Sequence, residues 1–242
     1  RLAKEYVPEV GMANEIERSS LLAMYAWRGY AFTEEQSFLE EGRKQLSAVE
    51  QALGVAEKHA QTYPALVKLK EQVATAKAEV ASYSALSVQT VEVVEAMNAD
   101  RKSLDQGAAV YMKNCVDFLD SQNVAMNKEL AEGALPEKLA ERLQKITWVN
   151  DIINLGNDTR IKVWRAQAAR DPKIIEAALE NFPRMEELFD KLKAITRQEA
   201  NLKQIAATKD AAMQYKAAMT SLNGHWKELS DINVKRTKTG EE

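Results

Sequence analysis

The chain is short of residues that turn a backbone or pin it covalently. Glycine occurs 9 times and proline 5 times in 242 residues, about half the usual combined share. A β-sandwich or barrel needs a turn every ten residues or so, and those turns are missing. An all-β fold is excluded. The single cysteine, Cys115, excludes an internal disulfide and a cysteine-built zinc site. The two histidines, His59 and His225, stand in no Glu-x-x-His pairing, so the di-iron bundle pattern is absent. No run approaches the ~18 apolar residues of a membrane-spanning helix. With 33 basic against 36 acidic side chains and a net charge of −3, nothing resembles the basic footprint of a nucleic-acid binder. Metalloprotease, nucleophile-elbow, phosphate-loop and dinucleotide motifs are all lacking, so the sequence points to recognition rather than catalysis, with no cofactor or metal.

What is abundant is the alphabet of long helices: Ala, Glu, Lys, Leu and Gln, with 29% charged residues. The prolines at 64, 136, 172 and 183 punctuate the chain. They predict six helices, over about 10–32, 34–62, 64–132, 136–169, 172–194 and 196–238, with Pro183 at a kink or break inside the fifth. Thr33 reads as the N-cap of the second. The third helix is the unusual one. At 1.5 Å per residue its ~69 residues would reach roughly 100 Å, with apolar positions such as Leu69, Val73, Val94, Leu104, Cys115 and Phe118 at spacings of three and four. Two long helices and four short ones predict an all-α chain of two stacked four-helix bundles.

The sequence also repeats itself. Ala26-Trp27-Arg28 recurs 137 residues later as Val163-Trp164-Arg165, and Tyr83 is matched by Tyr215 at an offset of 132. Both tryptophans are expected in the core, as is Cys115. His59 reads as a surface residue, and His225 as a packing or capping one. On the first helix, Arg18, Tyr25 and Arg28 fall within about 80° of one another, flanked by Leu21, Leu22, Met24 and Trp27, which are expected to be buried. Guanidinium groups beside a core stripe are costly unless anions meet them. Either protein carboxylates do so, or a carboxylate ligand does, in the paired geometry arginine favours. In the second copy Arg165 repeats Arg28, and Arg160 lies a little over one turn earlier, near Asn157 and Asp158.

The segments 13–33 and 150–172, joined by one very long helix, resemble the helical bimodular sensor domain of bacterial chemoreceptors, the methyl-accepting chemotaxis proteins. The resemblance spans essentially the whole chain. It implies a single periplasmic sensor domain, 1–242, cut from an inner-membrane protein held by flanking transmembrane helices. A membrane-proximal bundle would comprise about 1–98 plus 222–242, and a distal one about 99–221. It further implies a proximal site for a C4 dicarboxylate such as malate or succinate, at Arg18, Tyr25 and Arg28. A distal site for an acetate-like anion would use Asn157, Arg160 and Arg165. Homodimerisation and a role in chemotactic signal transduction are also implied. The nearest alternatives are the same fold on a sensor histidine kinase, and a spectrin-like helical scaffold without a small-molecule site.

Overall fold

The computed structural model describes residues 2–241, with side chains from Lys4 to Glu241. The chain is all-α, and no strand occurs among the described residues. A π-helical turn, Leu2–Tyr6, leads into α1 (Val7–Thr33), α2 (Gln36–Thr62), α3 (Val67–Ala131), α4 (Pro136–Ala169), α5 (Pro172–Leu179), α6 (Asn181–Ile195) and α7 (Glu199–Glu241). No helix is long and apolar enough to cross a membrane among these residues.

The helix expected over 172–194 is two helices. Proline lacks the N–H of an interior position, and its ring clashes with the carbonyl four residues back, which for Pro183 is Leu179. α5 accordingly stops at Leu179, and α6 restarts at Asn181, with Pro183 inside its first turn. Thr33 closes α1 rather than opening α2. Its hydroxyl donates to the Gly29 carbonyl (2.9 Å) and accepts from the Glu35 N–H (3.2 Å), leaving α2 without a side-chain cap. At the corresponding turn after α4, Asp171 caps α5 by accepting from the Lys173 N–H at 2.9 Å.

The chain divides into two compact units. The first holds residues up to Glu95 together with Lys227 onward, so it contains α1, α2, the first part of α3 and the end of α7. The second, Ala96–Trp226, contains the rest of α3, then α4, α5, α6 and most of α7. In the first unit the inward stripe of α1 is Ser19, Ala23, Ala26, Trp27 and Tyr30. Small residues at its start let neighbouring helices approach, and two aromatics fill the space further on. In the second unit α6 buries Phe182, Met185, Leu188, Phe189 and Leu192 at helical spacing, each worth roughly 1.5–3 kcal/mol of burial. Cys115 is a buried core residue, and burial pushes its thiol up to about 12.

Two glycines are dictated by close approach. A Cβ on Gly42 would lie 3.0 Å from Trp27 Nε1, and one on Gly156 would lie 2.3 Å from a ring carbon of Tyr111. Each glycine makes room for a buried aromatic ring, one in each unit.

The copies are offset by one residue from the alignment of their Trp-Arg pairs. α1 and α4 both end on a left-handed residue, Glu34 (φ 62) and Arg170 (φ 51), whose positions differ by 136. One residue is about 100° around a helix. Trp164 therefore occupies the outward position of Arg28, and it is 62% exposed, whereas Trp27 is buried. The expectation of a second core tryptophan is corrected.

Candidate ligand-binding site

Arg18, Tyr25 and Arg28 do share one face of α1, but that face looks into solvent. The reading that set them inward took the large residues Leu21 and Leu22 for core. Both are exposed, because the packing stripe runs through the small residues Ser19, Ala23 and Ala26 instead. Arg18 has a side chain 69% exposed and donates to both carboxylate oxygens of Glu15 at 3.0 Å. Such a pair contributes little. Tyr25 is 68% exposed and makes an edge-on contact with Phe38, with ring centroids 6.0 Å apart.

A buried guanidinium is nonetheless present, on α7. Arg236 is 4% exposed and continues the inward stripe of Leu222, Trp226, Leu229 and Ile232. It donates to Thr90 Oγ1 (2.6 Å), to the Trp27 carbonyl (3.1 Å) and to Asn233 Oδ1 (2.8 Å). Its guanidinium carbon lies 6.0 Å from the centre of the Trp27 ring. All these partners are neutral. Among the described residues no carboxylate pairs with Arg236, although an isolated buried charge is among the costliest features a fold can hold. Burial holds its pKa below the ordinary arginine value, and the nearby Tyr83 opposes that fall while the nearby Arg28 charge adds to it. Tyr83 is pushed above its usual value, chiefly by burial, against the two cations Arg236 and Arg28. Arg28 itself has no ion pair among the described residues.

Two guanidinium groups from α1 and α7 thus act on one buried tyrosine of α3, with no counter-ion between them. Tyr83 also lines a cavity of about 250 Å³ enclosed by α1, α2, α3 and α7. Ser20, Gln72, Thr75 and Thr239 supply its hydrogen-bonding groups, Ile16, Met24 and Val49 its apolar wall, and Glu79 its one charged side chain. Such a mixture, mostly apolar with a few convergent polar groups, is the usual make-up of a small-molecule site.

The residues expected to form a second site, in the other unit, do not converge. Arg165 is exposed, Asn157 is half-buried, and neither lines a cavity. Arg160 lies 5.8 Å from the Trp164 ring and borders a void of about 10 Å³ shared with Tyr111 and Tyr215. That volume holds a single water, so an acetate-like anion does not fit between these side chains as they stand. The Arg160 charge acts on Tyr215 as the Arg28 charge acts on Tyr83. Burial pushes Tyr215 up to about 12, with the Arg160 charge opposing.

No family model matches the chain, and no curated protein matches it significantly. Function is therefore argued from the site.

Both histidines are engaged. His59 Nε2 pairs with the Glu5 carbonyl at 2.8 Å, and His225 Nδ1 with Asp100 Oδ2 at 2.6 Å. No cluster of three or more His, Cys, Asp or Glu able to hold a metal occurs among the described residues. Arg236 and Tyr83 carry the site, yet Arg236 went unmarked in the sequence because it sits in the polar run that ends the chain. A signal was available. Leu222, Trp226, Leu229, Ile232 and Arg236 are spaced by three and four, so the apolar stripe of α7 runs straight into that arginine.

Proposed function

We propose that the chain is the periplasmic ligand-binding domain of a bacterial chemoreceptor, sensing a small organic acid in its first unit. Each unit supplies one four-helix bundle, the first from α1, α2, the start of α3 and the end of α7. The parent protein is anchored in the inner membrane and passes the binding signal across it. The observation that carries this reading is Arg236, a buried cation without a carboxylate, whose charge and that of Arg28 act on Tyr83, a residue lining the cavity. A carboxylate entering beside Tyr83 would neutralise both guanidinium groups by charge-assisted hydrogen bonds. A C4 dicarboxylate such as malate or succinate is the class proposed for that cavity. Its chain would lie against the apolar wall, with its far end held by the hydroxyl and amide groups. The void of about 10 Å³ beside Arg160 gives no support to a second acid site, and the proposal is restricted to the first unit.

Arg28, Tyr83 and Arg236 stand on α1, α3 and α7. Closing them on one anion favours whichever arrangement of these helices brings the three together, and the response is set by the difference in affinity between the two arrangements. The domain works as a homodimer in this reading. In support, α1 leaves Val7, Val10, Leu21, Tyr25 and Phe32 exposed at heptad-like spacings.

A thermal-shift titration with malate, succinate, citrate and acetate tests the proposal. At 100 times its dissociation constant, a ligand adds about 2.7 kcal/mol, a rise of several degrees in a domain of this size. If none of the acids moves the midpoint, the acid-sensing reading fails.

A further inference from the structure

A second concavity in the first unit has a different chemistry. It is a groove of about 290 Å³ between α1, α2 and α3, and two of the polar atoms on its lining side chains are left without partners. Trp27 Nε1 and Ser87 Oγ are both buried, and neither forms a hydrogen bond. An indole N–H can only donate, whereas a serine hydroxyl can donate and accept. Leaving either dry is unfavourable, since the group loses its water without gaining a partner. The indole is held there by design of the sequence, since any side chain at Gly42 would crowd Nε1.

The charged lining is as distinctive. Arg43 and Glu50 stand on α2 and Glu92 on α3, and none of the three is in an ion pair among the described residues. Arg43 and Glu50 are seven residues apart, two turns along one face and roughly 10 Å. A simple anion would meet two carboxylates for one guanidinium. A simple cation would leave the guanidinium and the indole N–H unmet. A molecule with both charges satisfies both sets. We propose that this groove binds a small zwitterion of the amino-acid class, its carboxylate on Arg43, Trp27 Nε1 and Ser87, its ammonium on the glutamates. The site is separate from the acid cavity, and Trp27 links the two: its carbonyl accepts from Arg236, and its side chain lines the groove.

Isothermal titration of the 242-residue chain tests this, with L-serine, L-leucine and 4-aminobutyrate as probes and butyrate and butylamine as single-charge controls. At least one zwitterion is expected to bind while neither control does. Ser87→Ala and Arg43→Gln should each weaken it by about fivefold or more. Ser87→Ala should also leave the unliganded midpoint unchanged or higher, since it removes an unpaired buried hydroxyl, so lost binding will not be confused with lost fold. The proposal is overturned if no zwitterion binds, if butyrate or butylamine binds as well as the zwitterion, or if both variants bind like the parent chain. Loss of the organic-acid response with zwitterion binding intact would refute the acid-sensing reading alone, and the reverse pattern would refute this one alone.

Discussion

Replacing Arg236 by methionine separates a structural arginine from a functional one. Methionine keeps the length and the apolar stem while removing the charge. The partners lost are inexpensive. The Trp27 carbonyl lies within α1 and keeps its helical bond, Thr90 Oγ1 already donates to the Leu86 carbonyl at 2.9 Å, and Asn233 is only half-buried. Against these three charge-assisted hydrogen bonds to neutral acceptors and a cation–π contact of about 1–2 kcal/mol stands the desolvation of an unpaired cation, several kcal/mol per ion after relaxation. Arg236→Met should therefore stabilise the unliganded protein by about 1–2 kcal/mol, a rise of about 2–8 °C in a domain of this length. The same substitution should abolish the organic-acid response. Helical circular dichroism followed through a thermal scan, with and without malate, reads both effects. A fall of more than about 5 °C would mean that Arg236 is held by interactions stronger than these neutral contacts, and the argument for a missing anion would be wrong.

Other outcomes follow from the same geometry. Arg18→Ala should leave acid binding unchanged, its exposed pair with Glu15 being worth a few tenths of a kcal/mol. Arg28→Ala should weaken binding by about tenfold, the worth of one charged hydrogen bond, and titration calorimetry on both variants makes the comparison. Gly156→Ala should destabilise by about 1–3 kcal/mol in denaturant titrations, because the new Cβ meets the Tyr111 ring, while Gly224→Ala, with nothing within 4 Å, should be neutral or slightly stabilising. Glu129 is held below the usual carboxylate range, first by its hydrogen bond from Arg142. A lowered folded-state pKa contributes stability that is present above the unfolded value and lost as the pH falls through the folded one. Unfolding midpoints of the native chain should therefore fall more steeply below about pH 4 than those of Glu129→Gln.

Helix existence and order were legible because long apolar periodicity with few breakers leaves little else for the chain to do, and the prolines at 136 and 172 sit at the first positions of α4 and α5. The orientation of α1 was not legible. Arg18, Tyr25 and Arg28 share a face by arithmetic alone, but periodicity does not say which of two faces is buried when one is large and apolar and the other small. Ser19, Ala23 and Ala26 prevailed because close helix approach rewards small residues, and Leu21 and Leu22 were left outside. The repeat misled by one residue for a related reason. Trp-Arg is a conspicuous pair, but the left-handed ends at Glu34 and Arg170 fix the register. Arg236 was hidden by its charged neighbours Lys235 and Lys238, although the apolar stripe leads directly to it.

Trp27 stands between the buried arginine and the groove of its unit. Its carbonyl accepts from Arg236, its ring lies beside that guanidinium and lines the groove, and its buried Nε1 has no hydrogen-bond partner. The emission of this indole should therefore change if either proposed site fills: an anion drawing on Arg236 alters a cationic neighbour, and a molecule reaching the N–H supplies a hydrogen bond where there is none. Trp164 lies in the other unit with its ring in water, so its signal is an internal reference. The protein carries its own optical reporter, and mutating the other tryptophans would let it be read alone.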